Sequence, residues 1–278
     1  MKPLSIIAGL MFFYFQSFGQ APRFIFLDSL TYNISPVSSN VVRSQGYTRT
    51  ESFTIRSKEK DTLQHSTFFY DALGRTRYTL YKHHKTDTLT IEFSYDELNR
   101  VVKRKGIKRG RQSFASISEY INDTLKIKDI NYYGKQEALK VLVFNPLLQL
   151  LHYTVYDSTG KQVQVTNYEY NRQLLPERVI QTTGSRTSFD NLYEHHNNKG
   201  GRIVKIYEMF GGYKRLIEKI VYNSKGQLIK TISYDYYYKS KKFTAELEYN
   251  TDGSIKLYKG MYHYSGYSFK QYFFHYKD

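Results

Sequence analysis

The chain has 278 residues, among them 29 Tyr and 18 Phe, and it contains neither Trp nor Cys. The absence of Cys excludes disulfide bonds and thiolate metal sites. A formal charge of +16 at pH 7 would attract anionic polysaccharides, lipid headgroups or nucleic acid. The alternative is that this charge is spread over solvated strand faces and mainly keeps the protein soluble.

Residues 1–19 have the layout of a secretory signal. Lys2 precedes an uncharged, mostly apolar run from Leu4 to Phe15, and small or polar residues lead to a plausible cleavage site before Gln20. We therefore expect a protein exported to the periplasm, the cell surface or the medium. An uncleaved anchor or a buried N-terminal strand is the alternative. No later apolar run is long enough to predict a transmembrane helix.

Residues 20–45 form a less regular lead-in segment, with Pro22, Pro36 and several Ser. We predict a strand and a loop here, which cover an exposed sheet edge. Residues 46–278 are predicted to form a single domain of β-hairpin repeats.

A motif recurs every ~25 residues, which is typical of repeat architectures. It consists of an aromatic residue, Asp or Asn, two variable positions and often Gly, as in FFYDALGRT and IVYNSKGQL. The aromatic positions of the repeat are Tyr70, Tyr95, Tyr120, Phe144, Tyr170, Tyr193, Tyr222 and Tyr249.

The residues of the motif predict a tight turn. An Asp or Asn side chain can accept hydrogen bonds from backbone N–H groups two residues on. Gly74 fits where φ must be positive, and Asn99 is the next-best residue there. The copies at Asn145 and Asn171 lack the Gly. The copy at Asp157 falls at the second turn of its unit, so both turns of a unit can use the same chemistry.

The strands between the turns alternate apolar and polar residues, as in LTIEFSY and FTAELEY. This alternation favours half-buried antiparallel strands. Two strands per unit give an all-β, up-and-down meander of about seventeen strands. Laid flat, such a sheet would be ~80 Å wide with a bare apolar face. We therefore expect it to curl into a shell, an open barrel or a twisted superhelical sheet.

The segment Tyr70–Arg75 (Tyr-Asp-x-x-Gly-Arg) resembles the tyrosine-aspartate (YD) repeats of bacterial Rhs-type proteins, and residues 95–100 and 222–227 look like diverged copies. The resemblance extends over residues 46–278. It implies hairpins that spiral into a β-shell, which in long family members encases a toxin domain or is displayed at the cell surface. This chain is too short to enclose a toxin, and the family supplies no catalytic residues for the repeat.

The sequence contains no recognisable catalytic or metal-binding motif. The pairs His83-His84 and His195-His196 would point to opposite faces of a strand, which disfavours a shared metal ion unless the pair lies in a loop. The pairs Gly200-Gly201 and Gly211-Gly212 are predicted to be hairpin turns, because no helix follows them to bind phosphate. We predict no cofactor, no metal and no catalytic residue.

The strongest feature outside the turns is basic. One hairpin carries RVVKRKGIKRGRQ, and a second turn carries YYYKSKK, which places Tyr beside Lys. Cations combined with aromatic rings suit polyanions. The alternative is that Lys-rich hairpins guard sheet edges against aggregation. The candidate polyanion-binding residues are Arg100, Lys103, Arg104, Lys105, Lys108, Arg109, Arg111, Tyr236, Tyr238, Lys239, Lys241 and Lys242.

These observations favour an exported, non-enzymatic binding or scaffold protein of the bacterial cell envelope, with an anionic polysaccharide or another envelope component, or a protein, as its partner. Specific nucleic-acid recognition is not expected. A glycan-processing enzyme with unrecognised carboxylates is the first alternative. An outer-membrane barrel is the second, although the charged stretch from Lys103 to Arg111 fits a lipid-facing band poorly.

Overall fold

The structure is a computed structural model, which describes residues 37–56, 62–83, 87–131, 133–234, 241–263 and 265–277. The predicted signal, most of the lead-in segment and three candidate site residues (Tyr236, Tyr238 and Lys239) lie outside these ranges. Within them, no helix is long and apolar enough to cross a membrane.

The described residues contain one short helix and eighteen strands. The helix, α1, spans Ser39–Gln45. The strands are β1 Arg49–Arg56, β2 Thr62–Tyr70, β3 Thr76–His83, β4 Asp87–Tyr95, β5 Val101–Lys108, β6 Arg111–Ile121, β7 Thr124–Asn131, β8 Gln136–Phe144, β9 Leu150–Asp157, β10 Gln162–Tyr170, β11 Pro176–Thr183, β12 Arg186–Asn198, β13 Gly201–Phe210, β14 Tyr213–Asn223, β15 Leu228–Tyr234, β16 Lys241–Tyr249, β17 Ile255–Tyr262 and β18 Tyr267–Tyr276.

The strands form one antiparallel sheet that closes into a barrel. Each strand pairs with the next one in the sequence, and β1 also pairs with β18, for example through Ser52 and Phe273. Closure leaves no unpaired edge among these strands, which removes the risk of edge-to-edge aggregation. The all-β meander predicted from the sequence is confirmed, with one strand more than the seventeen expected.

Burial alternates along the strands. On β14, Glu218, Ile220 and Tyr222 are buried, whereas Lys219 and Val221 between them are more exposed. A closed sheet has only one sheltered face, so the buried face is the inside of the barrel. Two apolar clusters lie there, one across β13–β17 and one across β7–β9. Their buried members are Val204, Ile206, Ile220, Tyr222, Leu228, Leu247 and Ile255, and Leu125, Ile127, Leu142 and Leu150.

Because consecutive strands run in opposite directions, the turns fall at two opposite ends of the barrel. We call the end formed by the turns after the even-numbered strands, β2 to β16, the corner rim. The other end, formed by the turns after the odd-numbered strands, β3 to β17, is the tip rim. The corner-rim turns are residues 71–75, 96–100, 122–123, 145–149, 171–175, 199–200, 224–227 and 250–254.

The described end of the lead-in segment is a helix rather than the expected strand and loop. The Ser38 side chain caps α1 by accepting a hydrogen bond from Val41 N (3.3 Å), and Gly46 ends it with φ 68°. At seven residues, α1 is too short to show a helical period in the sequence. The helix lies over the first corner and contacts it closely. A Cβ added to Gly74 would be only 2.3 Å from the carbonyl oxygen of Ser39.

Candidate functional site

The repeated corners have one hydrogen-bonding pattern. At the first corner, Asp71 N donates to Arg75 O, and Gly74 N donates to Asp71 O, both at 2.9 Å. Asp71 Oδ1 also accepts from the backbone N–H groups of Leu73 (3.0 Å) and Arg75 (2.9 Å). The same pair of backbone bonds recurs at Asp96, Asn131, Asn145, Asp157, Asn171, Asn223 and Asn250. The structure therefore confirms the predicted turn chemistry.

Two of these corners, at Asn131 and Asp157, lie on the tip rim, which confirms that both turns of a repeat unit can use this chemistry. The residue at the Gly position always has positive φ. Where the sequence lacks Gly, Asn99 (60°), Leu148 (65°) and Leu174 (62°) adopt that conformation instead. A leucine is strained there, because its Cβ crowds the following carbonyl group.

The tyrosine before a corner connects one repeat to the previous one. The hydroxyl groups of Tyr95, Tyr170 and Tyr249 donate to carbonyl oxygens near the start of an earlier strand, at 2.7, 2.8 and 2.7 Å. In the sixth unit His195 takes this place, with Nε2 2.7 Å from Pro176 O. The assignment of Tyr193 to this position was therefore wrong, because β12 runs on past it to a two-residue turn.

The arginine of the motif completes this connection. Arg75 Nε donates to Asp71 Oδ2 (2.6 Å), and its guanidinium lies 4.5 Å from the ring centre of Tyr95 in the next repeat. Arg100 does the same with Asp96 (2.6 Å) and with the ring of Tyr120 (4.2 Å). Arg100 thus holds a corner together on the corner rim. It does not join the other basic residues of its segment.

The remaining basic residues of the β5–β6 hairpin divide between its faces and its tip. Arg104 lies on the inward face, 4.9 Å from the ring centre of Phe114. Lys103 and Lys105 alternate with it and lie on the outward face, where Glu92 is opposite Lys105. The other three, Lys108, Arg109 and Arg111, are exposed at the tip.

The tip of the β5–β6 hairpin, which we call the basic tip, borders a surface depression of about 520 Å³. Lys108, Arg109 and Arg111 line it together with Gln112 and Ser113. Arg109 and Gly110 form the turn with φ of 53° and 74°. Such hairpin turns favour Asn or Gly at both positions, so an arginine is unusual there. The structure thus presents three cations beside a concave surface.

An exposed tyrosine lies on the neighbouring tip. Tyr133, in the β7–β8 turn, is 80% exposed, so most of its ring faces solvent. It was not among the candidate residues, because we expected aromatic rings to contribute beside the lysines of the second basic segment. Its position beside Asn131 and Gly134, the Asx and Gly of a corner motif, is the signal in the sequence that could have identified it.

The second basic segment lies elsewhere on the tip rim. Its described members, Lys241 and Lys242, begin β16. About ten of the eighteen strand positions separate the β5–β6 tip from the start of β16, so Lys241 and Lys242 lie on nearly the opposite side of the barrel from that tip. The structure therefore does not bring Lys241 and Lys242 together with the β5–β6 tip into one site.

Comparison with known proteins does not assign this chain to a family. No family model matches it. No curated protein matches it. A porin-like protein from Bacteroides uniformis has a TM-score of 0.47 and 11% identity, over 83% of this chain and 98% of that one. The Tc holotoxin pore of Photorhabdus luminescens has a TM-score of 0.28 and 9% identity, over 76% of this chain and 16% of that one. A DUF1329 family protein from Desulfovibrio piger has a TM-score of 0.27 and 8% identity, over 84% of this chain and 87% of that one.

All three TM-scores lie below 0.5, so we argue function from the residues of this chain. The matched structures include a Tc toxin chain, of which this chain covers only 16%. That likeness does not identify the corners as YD repeats, and this interpretation stays a prediction.

The inside of the barrel holds one unusual acid. Glu218 is 9% exposed, and its Oε1 has no hydrogen-bond partner among the described residues. Burial raises the pKa of this carboxyl group from 4.5 to about 8, so the group is mostly protonated at neutral pH. The nearby acid Glu208, on the adjacent strand, is paired with Arg215.

Of the two histidine pairs, His195-His196 is described, whereas His84 lies outside the described residues. His195 and His196 both lie within β12 rather than in a loop, and His196 is 3.6 Å from Glu194. The described residues contain no group of three or more His, Asp and Glu side chains that could hold a metal ion. Gly211 and Gly212 form the turn between β13 and β14 with φ of 56° and 81°, which confirms the predicted hairpin turn.

Proposed function

We propose that this protein is an exported, non-enzymatic binding protein of the bacterial cell envelope, and that it holds an acidic polysaccharide at the basic tip. The observation that carries the proposal is the depression of about 520 Å³ lined by Lys108, Arg109 and Arg111. A carboxylate or sulfate group that enters it would meet three cationic side chains at once, which strengthens binding and makes it sensitive to salt.

Two features near the depression support this proposal. Arg109 keeps a positive φ that a side chain disfavours by roughly 1–2 kcal/mol, although Asn or Gly would fit with less strain. Strained backbone is enriched at functional sites, although the leucines of the corners show that a tight turn alone can also impose it. Tyr133, one hairpin away, offers an exposed ring on which a sugar can stack. A polymer with negative charges and sugar rings therefore suits the basic tip together with the neighbouring β7–β8 turn.

The alternatives have less support. A glycan-processing enzyme needs an acid that is both protonated at neutral pH and accessible to substrate. Burial raises the pKa of Glu218 enough for the first requirement, but the same burial leaves this residue only 9% exposed. An outer-membrane barrel needs an apolar outward band. The outward face instead carries charged pairs, such as Lys230 with Glu246 (2.7 Å) and Arg178 with Asp190 (2.7 Å).

The test is retention of the full-length processed protein on a heparin-type matrix across a range of salt concentrations. The variant K108Q/R109Q/R111Q should bind more weakly than the parent protein. The slope of log K against log salt should fall by ~2, because three fewer cations release fewer counterions. The variant R172Q/K199Q/K225Q is the matched control, since it removes three exposed cations from the corner rim.

The control should keep the slope of the parent protein. If the salt-dependence slope falls equally in both variants, retention depends on the net charge of the protein and not on the basic tip. If neither variant changes the slope, the proposed site is wrong. Tyr133→Ser should weaken binding without changing the slope, because it removes stacking and no charge.

A further inference from the structure

Exposed aliphatic side chains occupy five consecutive corners. Four of them belong to the turns β2–β3, β4–β5, β8–β9 and β10–β11, the fifth ends β6 beside the β6–β7 turn, and each is 42–66% exposed. We call this set the aliphatic arc; its members are Leu73, Leu98, Ile121, Leu147 and Leu174. The three remaining corners of the rim have polar residues at their tips, with Lys199 and Lys225 exposed there. The corner rim is therefore apolar over one part of its circumference and polar over the rest.

The turns fix the backbone at three of the five residues of the arc. Leu73 and Leu98 each donate a backbone hydrogen bond of 3.0 Å to the Asp two residues earlier. Leu174 donates a 2.9 Å bond to Asn171 O and keeps φ at 62°, where Gly or Asn would be relaxed. The corner thus fixes an exposed leucine in a conformation that leucine disfavours. These aliphatic side chains are therefore exposed on ordered turns.

The spacing of the arc indicates what it fits. Neighbouring corners are two strands apart, which places their tips ~10 Å from each other. A stable protein interface needs a continuous, closely packed area of ~800 Å² on each partner, rich in aromatic residues. Separate aliphatic side chains along one end of a barrel fit a fluid apolar layer better, because each can insert on its own.

The charges of the rim indicate which kind of layer. Its exposed cations are Arg172, Lys199 and Lys225, and its exposed acids are Glu97 and Asp123. Together with the +16 charge of the chain, this balance favours an anionic surface. We propose that the corner rim docks on an anionic lipid bilayer, with the aliphatic arc inserted among the lipids and these cations over the headgroups. The basic tip would then face away from the membrane.

The absence of Trp from the chain makes insertion directly measurable. We would place a single Trp at Leu98, at Leu174 or, as the control on the tip rim, at Tyr133. Vesicles of phosphatidylcholine with one third phosphatidylglycerol should shift the emission of Leu98→Trp and Leu174→Trp to the blue. Lipids brominated along their chains should quench it. The emission of Tyr133→Trp should not change.

Binding is measured by flotation with the same vesicles. The variant L73S/L98S/L147S/L174S should partition at least tenfold less than the parent protein, whereas Y133S/F210S/Y213S, which changes exposed residues of the tip rim, should bind normally. R172Q/K199Q/K225Q should lose affinity for the anionic vesicles only. All substituted side chains are exposed, so each variant should keep the denaturation midpoint of the parent protein.

The proposal is overturned if the Trp reporters on the arc do not respond to vesicles, or if the serine variant floats like the parent protein. It is also overturned if the parent protein sediments as a dimer and the serine variant sediments as a monomer, because the arc would then contact a second copy. Retention on the heparin-type matrix should be unchanged in the serine variant. The two proposals can therefore fail separately.

Discussion

Glu218 makes a strong prediction about how stability depends on pH. The pKa of its carboxyl group is about 8 in the folded protein and has its ordinary value of 4.5 in the unfolded chain. Between these values the unfolded chain loses the proton while the folded protein keeps it. The folded state therefore loses stability as the pH rises from 4.5 to 8, by about 1.4 kcal/mol per pH unit. Below pH 4.5 Glu218 causes no loss.

At pH 7 this loss amounts to about 3 kcal/mol. Glu218→Gln removes the ionisable group and should remove the loss with it. The amide also needs hydrogen-bond partners, but that cost is the same at every pH. The decisive quantity is therefore the difference between variant and parent protein at pH 7 minus the same difference at pH 4. We expect it to be about 3 kcal/mol in favour of the variant.

The measurement is urea denaturation at several pH values between 4 and 8, followed by circular dichroism. Glu246→Gln is the control, because Lys230 lowers the pKa of the Glu246 carboxyl group. Its pH effect therefore lies below pH 4.5, and the difference between this variant and the parent protein should stay nearly constant from pH 5 to pH 8. If the difference between Glu218→Gln and the parent protein stays constant from pH 4 to pH 8, Glu218 is not a protonated buried acid and the reasoning is refuted.

Three further predictions concern the corners and their partners. Gly160→Ala should lower the free energy of unfolding by about 1 kcal/mol, because of the positive φ alone. Gly74→Ala should lower it by at least twice as much, because the added Cβ would also meet a backbone oxygen of α1. Equal losses of the two variants in urea denaturation would contradict this contact. Tyr95→Phe removes a 2.7 Å hydrogen bond and should destabilise the protein by about 1 kcal/mol, which the denaturation midpoint would show. Burial lowers the pKa of His195, so acidification below pH 6.5 should lower the free energy of unfolding. The variant His195→Tyr should lose less stability on acidification than the parent protein. Identical pH profiles of stability for the two proteins would disprove this prediction.

The local chemistry of the fold could be predicted from the sequence. Asp71 and Gly74 specify a corner through interactions within five residues, so the repeat of their motif predicts the turns and the alternating strands between them. His195 was missed because it performs the role of a repeat tyrosine with a different ring. Its part is visible only once the carbonyl oxygen of Pro176 is placed beside it.

Features that join distant residues could not be predicted. Closure of the barrel depends on the curvature accumulated over all eighteen strands, which brings Ser52 opposite Phe273. The basic residues from Arg100 to Arg111 are close in sequence, yet in the structure they lie at a corner, on the inward and outward faces of a strand, and at a hairpin tip. The sequence therefore indicated a basic hairpin but not which of its cations share one surface.

Hydrogen exchange with and without a sulfated oligosaccharide tests the functional proposal most directly. We predict slower exchange of the backbone amides in residues 108–113 and in the neighbouring turn around Tyr133. The amides of the corner at residues 71–75 should exchange at the same rate with and without the ligand. Protection confined to the corner rim, or none at all under conditions where the oligosaccharide binds, would contradict the proposed site.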